Sequence, residues 1–155
     1  VGTNSFGKGT VQQTVNLGDG SQLKLTMFKW LTPDGNWIHE EGIEPTVPVR
    51  QPDYYYTSPL SVTNEPLVYD MNDEQIKNAQ LMLDGLGFAP GRTDGYFSKQ
   101  TEEAVRAFQR QHQLETTGEI DENTARVLQE QVLEQIRSQE DDIQLQTALE
   151  LVAQQ

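Results

Sequence analysis

Apolar positions alternate with polar ones over the first third of the chain and change to helical spacing after residue 72. Val11, Val15 and Leu17 alternate with polar residues and run into Gly18-Asp19-Gly20, which predicts a strand and a turn. Leu23, Leu25 and Met27 mark one face of a second strand, with Phe28 and Trp30 on the other. A strand apolar on both faces is expected to be covered on both. Pro33-Asp34-Gly35-Asn36 predicts another turn, leading to Trp37-Ile38. Residues 42–49 read as extended, and Pro45 and Pro48 confine them to a sheet edge or an exit path. A hairpin or two leaves edges and an apolar face open. These strands are therefore expected to pair with a missing N-terminal piece or with another copy of the chain.

Arg50 to about Met71 shows no periodicity and contains Pro52, Pro59, Pro66 and the run Tyr54-Tyr55-Tyr56. It reads as the tail of the strand segment followed by a linker over 61–72. The tyrosines are expected to pack against a neighbouring domain, in preference to forming a platform for sugar rings.

Helical spacing follows. Asn72 with Gln75 resembles a capping box, and Ile76, Ala79, Leu83 and Leu86 form one stripe that Gly85 and Gly87 bring to an end. Ser98 is expected to cap a second helix with Thr101, Ala104, Val105 and Phe108 on its inner face. Asp121 is expected to cap a third, with Thr124, Val127 and Leu128 inside. The last two helices are copies of one pattern spaced by 23 residues: Gly95 matches Gly118, Phe97 matches Ile120, Ser98 matches Asp121 and Thr101 matches Thr124. The repeat predicts a three-helix unit over 73–136. Beyond Val132, Leu133 and Ile136, and then Ile143, Leu145, Leu149 and Val152, predict two further helical pieces broken near 138–142. The fold class is α+β, an incomplete sheet joined to a helical unit.

Composition narrows the partners. The net charge of -13 excludes nucleic acid, which needs clustered cations, and disfavours anionic membrane surfaces. The absence of cysteine excludes disulfides, thiolate nucleophiles and cysteine metal cages. No apolar stretch approaches the roughly 18–20 residues that span a bilayer. The chain begins Val1-Gly2-Thr3 without an initiator Met, so a missing leader carries no information.

The segment richest in chemistry is Ser5-Phe6-Gly7-Lys8-Gly9-Thr10-Val11-Gln12. It fails the Walker pattern, because Gly9 follows Lys8 where Ser or Thr is required. A lysine serves as a general base when burial disfavours its ammonium form. Gln12 is placed to hold such an amine, but a regular strand would set the two about 13 Å apart, so a bend is required. On composition alone, Lys8 reads as a solvated loop residue in preference to a base.

The same eight residues resemble the lysine signature of the carboxyl-terminal processing peptidases, which use a Ser/Lys dyad. The resemblance implies that Lys8 is the general base and Gln12 the residue that positions it. Leu17-Gly18-Asp19-Gly20-Ser21 with Leu23-Lys24-Leu25-Thr26 is similar to that family's next hairpin, and 42–49 to its exit strand. Asp142, Gln144-Leu145 and Ala148-Leu149 resemble its closing helix, which assigns 1–60 and 139–155 to the peptidase. The family's nucleophilic serine precedes the lysine signature, and Ser5 belongs to the signature itself. The chain alone is therefore expected to be inactive.

Residues 73 to about 130 resemble the small peptidoglycan-binding domain of bacterial wall enzymes. The residues carrying the likeness include Gln80, Leu83, Leu86-Gly87, Asp94-Gly95-Tyr96-Phe97, Thr101, Phe108-Gln109 and Thr117-Gly118. The resemblances together imply the C-terminal portion of a secreted or membrane-anchored bacterial endopeptidase acting outside the cytoplasmic membrane. Its substrate would be protein or peptide, with peptidoglycan a further partner and no metal or organic cofactor. The competing reading is a non-catalytic peptidoglycan-binding or oligomerisation module. His39 and His112 lack metal-ligand spacing. Glu40-Glu41 and Glu102-Glu103 read as solvated charge, and Asp141-Asp142 as acids favouring the start of the last helix.

Overall fold

The computed structural model describes residues 1–154 and has an α+β architecture. It comprises two units, Val1–Arg50 with the chain from Thr147 onwards, and Gln51–Gln146. The closing-helix assignment reaches Gln155, which lies outside the described residues.

In the first unit, β1 (Thr10–Asn16) pairs antiparallel with β2 (Gln22–Lys29). Asp19 Oδ1 accepts from both the backbone and the hydroxyl of Ser21 across the turn. Those two bonds hold the Asp19 carboxyl below the usual carboxylate range. The register slips between Val11 and Gln12: Val11 faces Phe28 and Gln12 faces Thr26, leaving Met27 unpaired. This bulge changes the expected alternation. Phe28 joins the face of Leu23 and Leu25, opposite Val11 and Val15, instead of lying on the reverse side. The expected cover on both faces is also not found. Phe28 is 63% exposed and Leu23 44%, because two strands alone provide no second layer. Residues 42–49 form no regular strand: Thr46 and Val47 lie in a bend, and the pairing made is the parallel bridge of Pro48 to Gly2.

The second unit holds α1 (Glu74–Gly85), α2 (Lys99–Gln111), α3 (Glu122–Ser138) and the start of α4 (Ile143–Ala153). Ile76, Leu83, Phe97, Phe108, Ile120 and Leu128 form its fully buried centre. Both the tail read with the strand segment and the linker contribute to the same core: Tyr54 and Leu60 from the first, Val62 and Leu67 from the second, are buried in it. Its backbone runs along both repeat turns. Leu67 exchanges hydrogen bonds with Ile120, at 3.0 and 2.9 Å, while Phe97 N donates to Met71 O at 2.8 Å. Of the three tyrosines, Tyr54 is buried, Tyr55 partly buried and Tyr56 exposed, so no three-ring platform forms. Tyr54 lies on Gly85, where a Cβ would come within 2.6 Å of its Cγ.

Ser98 and Asp121 cap α2 and α3, accepting from Thr101 N and Thr124 N. The first cap differs from expectation. Asp73, not Asn72, accepts from Gln75 N at 2.7 Å, while Asn72 is engaged in a backbone bridge to Tyr96. Gln75 does not close a capping box, because its Oε1 accepts from Ser61 N at 2.7 Å. Leu133 and Ile136 are not a separate helical piece. They continue α3 to Ser138, where Gln139 turns left-handed at φ 60°. Asp142 then accepts from Leu145 N and Gln51 Nε2, and both bonds hold its carboxyl below the ordinary range. Among the described residues no helix is long and apolar enough to cross a membrane.

The Asp121 cap gives a direct check on this reading. Asp121→Ala should cost about 1 kcal/mol of stability, the usual value of a lost N-cap, seen as a lowered melting temperature of the chain by circular dichroism.

Candidate functional site

The loop from Asn4 to Gly9 precedes β1 and is held by the segment 30–43 of the same unit. Ser5 bonds twice to Ile43: its N donates to Ile43 O at 3.1 Å and its Oγ accepts from Ile43 N at 2.8 Å. Asn4 Nδ2 donates to Glu41 O at 2.7 Å. Ser5 is thus a structural tie within the loop, in keeping with its place in the lysine motif.

Gly7 takes φ +77°, a left-handed conformation that bends the chain just before Lys8. Gly9 lies so close to His39 that an added Cβ would meet His39 Cβ at 2.7 Å. Both neighbours of Lys8 are pinned through their carbonyls. Gly7 O accepts from Glu40 N at 2.8 Å, and Gly9 O from Trp30 N at 2.9 Å and from Trp37 Nε1 at 3.0 Å.

Lys8 itself is exposed. With Thr10, Val11, Gln12, Lys24 and Trp30 it lines one open groove. Lys8 and Gln12 share this groove, with the left-handed Gly7 just before Lys8 and the bulged Met27 of β2 across from the Val11–Gln12 step. Gln12 is steadied from below by a long bond, Nε2 to Thr26 Oγ1 at 3.4 Å. The groove has two amines, an amide and an indole-bearing wall, suited to proton transfer once a nucleophile is brought to it. The remaining serine of this segment, Ser21, is bonded to Asp19 in the hairpin turn.

The other candidate residues have structural roles. His39 stacks beside Trp37 with centroids 5.1 Å apart, and His112 on Phe108 at 4.4 Å. Glu102 accepts from Lys99 and Arg106 along α2, and these bonds hold its carboxyl below the usual range. Among the described residues no three His, Asp or Glu side chains gather as a metal site. The helical unit does present a polar aromatic patch. Tyr96 donates to Asp70 at 2.7 Å, Arg92 lies over the Tyr96 ring at 4.8 Å, and Lys99 over the Tyr69 ring at 3.9 Å. The role of Trp37 was not read from the sequence. The available signal was that a partly buried indole N–H takes an acceptor, here Gly9.

Comparison with known proteins yields two family matches. Residues 1–49 match the model of "Peptidase family S41", and residues 72–128 that of "Putative peptidoglycan binding domain". The chain is 57% identical over 149 residues to the carboxy-terminal processing protease CtpB of Bacillus subtilis, covering 96% of this chain and 31% of that protein. It is 39% identical over 140 residues to a "Probable CtpA-like serine protease" of Staphylococcus aureus, covering 90% and 28%. A protein of the same name from Staphylococcus haemolyticus is 39% identical over 123 residues, covering 79% and 25%. The chain spans about a third of the length of these relatives.

Proposed function

We propose that this chain, whose residues 1–49 match the model of peptidase family S41, supplies the base side of a carboxy-terminal processing serine endopeptidase. Lys8 is the general base of a Ser/Lys dyad, and Gln12 positions it. The observation that supports this most directly is the single groove that both Lys8 and Gln12 line. Lys8 takes the proton of a serine hydroxyl as that oxygen attacks the scissile carbonyl, and returns it to the leaving amine.

The nucleophile lies outside this chain. Ser5 and Ser21 are each committed to local hydrogen bonds, and a dyad needs its two groups within hydrogen-bond reach. Because Lys8 is exposed here, the surface that covers it during catalysis also comes from the rest of the peptidase. The substrate is a protein C-terminus, handled on the outer side of the bacterial cytoplasmic membrane, and the helical unit contacts peptidoglycan. The patch formed by exposed Tyr69, half-buried Tyr96 and Arg92 supports that second role, since accessible rings and cations suit sugars bearing acidic peptides.

Peptide turnover by two purified polypeptides tests this reading. The 155-residue chain alone should give no cleavage above background, whereas the longer polypeptide that includes the preceding segment should cleave. Cleavage by the short chain, lost in Lys8→Ala, would overturn the placement of the nucleophile. An inactive long polypeptide would favour the non-catalytic module.

A further inference from the structure

A base lysine is useful only if its backbone is fixed relative to the nucleophile, since lysine has four rotatable side-chain bonds and no rigid ring. The loop carrying Lys8 has glycine on both sides and would be mobile without external ties. On one side the Glu40 N–H holds Gly7 O. On the other, Gly9 O accepts two donors, one from the β2 exit at Trp30 N and one from a side chain, Trp37 Nε1 at 3.0 Å.

The indole is itself held in place. The Lys29 ammonium lies over its ring at 4.2 Å, and His39 packs beside it at 5.1 Å. The turn at Thr32–Asn36 and the bridge from Leu31 to Trp37 fix the backbone that carries it. Trp37 therefore joins a rigid turn to the peptide immediately after Lys8.

We infer that Trp37 is a positioning residue for Lys8, acting through its indole N–H on the Gly9 carbonyl. It touches neither substrate nor the reacting atoms. This rests on Lys8 being the base, and it adds that the peptide carrying Lys8 is aimed by a side chain remote in sequence. Removing only the N–H leaves Gly9 O bonded to Trp30 N, so the loop persists but can tilt. The tilt would move the amine without altering the surface that binds substrate.

The test uses the full peptidase containing this segment. Trp37→Phe keeps an aromatic ring for Lys29 and His39 and deletes the donor. Expected is a loss of kcat on the order of tenfold, because small displacements of a catalytic group are that costly, with KM unchanged within about twofold. A merely structural role would lower the folded fraction and not the kcat of folded enzyme, so rates are normalised to folded protein by circular dichroism. Should Trp37→Phe not fold, replacement of Trp37 by benzothienylalanine, which has sulfur in place of the indole N–H, removes the donor at nearly constant shape. An unimpaired kcat in either variant overturns the inference. Lys8→Ala is run alongside. Full turnover in that variant sinks the base assignment and this inference with it, whereas a dead Lys8→Ala beside an unimpaired Trp37 variant sinks this inference alone.

Discussion

Lys8→Ala in the peptidase that contains this segment should lower kcat by on the order of 10³–10⁴-fold while leaving KM nearly unchanged. The direction follows from the roles assigned above. A serine hydroxyl is a poor nucleophile until its proton is accepted, and Lys8 places an amine in the groove to accept it. Lys24 also lines the groove, yet it comes from the middle of β2 on a regular strand, without the pinned flanks that hold the Lys8 peptide. Lys8→Arg should be nearly as damaging, because a guanidinium does not give up its proton in the working range and cannot act as a base. Gln12→Ala should cost less, about 10-fold to 100-fold, since it removes orientation and leaves the base in place. The measurement is steady-state kinetics on a peptide ending in a free carboxylate. A Lys8→Ala enzyme within about tenfold of the parent would show that proton transfer is carried by another group.

Much of this molecule could be read from its sequence, and the failures share a cause. Caps, repeat turns and stripes were legible because they depend on neighbours within a few residues: Ser98 and Asp121 cap the helices that their spacing indicated. The bulge at Met27 was not legible. A strand of this sequence is locally satisfied with or without it, and the register is set by pairing with β1. Leu60, Val62 and Leu67 were passed over because they lack periodicity, yet they are buried through contacts with helices far along the chain. The same holds for the loop at Lys8. Its motif was visible, whereas the pinning by Trp37, His39 and Glu40 depends on a turn some 30 residues later, which brings those groups against two glycines.

The largest effect on stability is expected from two buried glutamines that stand outside the apolar stripes. Gln80 and Gln109 are completely buried, where an unpaired amide would be costly. Each is instead fully used, and in the same way. Gln80 Oε1 accepts from Gly95 N at 3.0 Å, while its Nε2 donates to Tyr96 O at 2.8 Å and Thr101 Oγ1 at 3.0 Å. Gln109 Oε1 accepts from Gly118 N at 2.9 Å, while its Nε2 donates to Glu119 O at 2.9 Å and Thr124 Oγ1 at 3.1 Å. Each glutamine thus clamps one copy of the repeated turn onto the preceding helix and fixes the threonine of the next. Gln109→Leu conserves volume but strands the buried Gly118 N–H and removes the bonds to the Glu119 carbonyl and the Thr124 hydroxyl. The orphaned N–H costs about 1–3 kcal/mol and each further lost bond about 0.5–1.5 kcal/mol, so a loss of about 2–5 kcal/mol is expected, and a similar loss for Gln80→Leu. The sites serve different turns, so the two losses should add to within a few tenths of a kcal/mol. A unit of this size has about 5–15 kcal/mol to lose, and the double variant should be largely unfolded at 37 °C. Urea titration of the chain followed by circular dichroism checks this. Single variants within about 1 kcal/mol of the parent would mean that the turns hold without their clamps and that the helical core alone closes the unit.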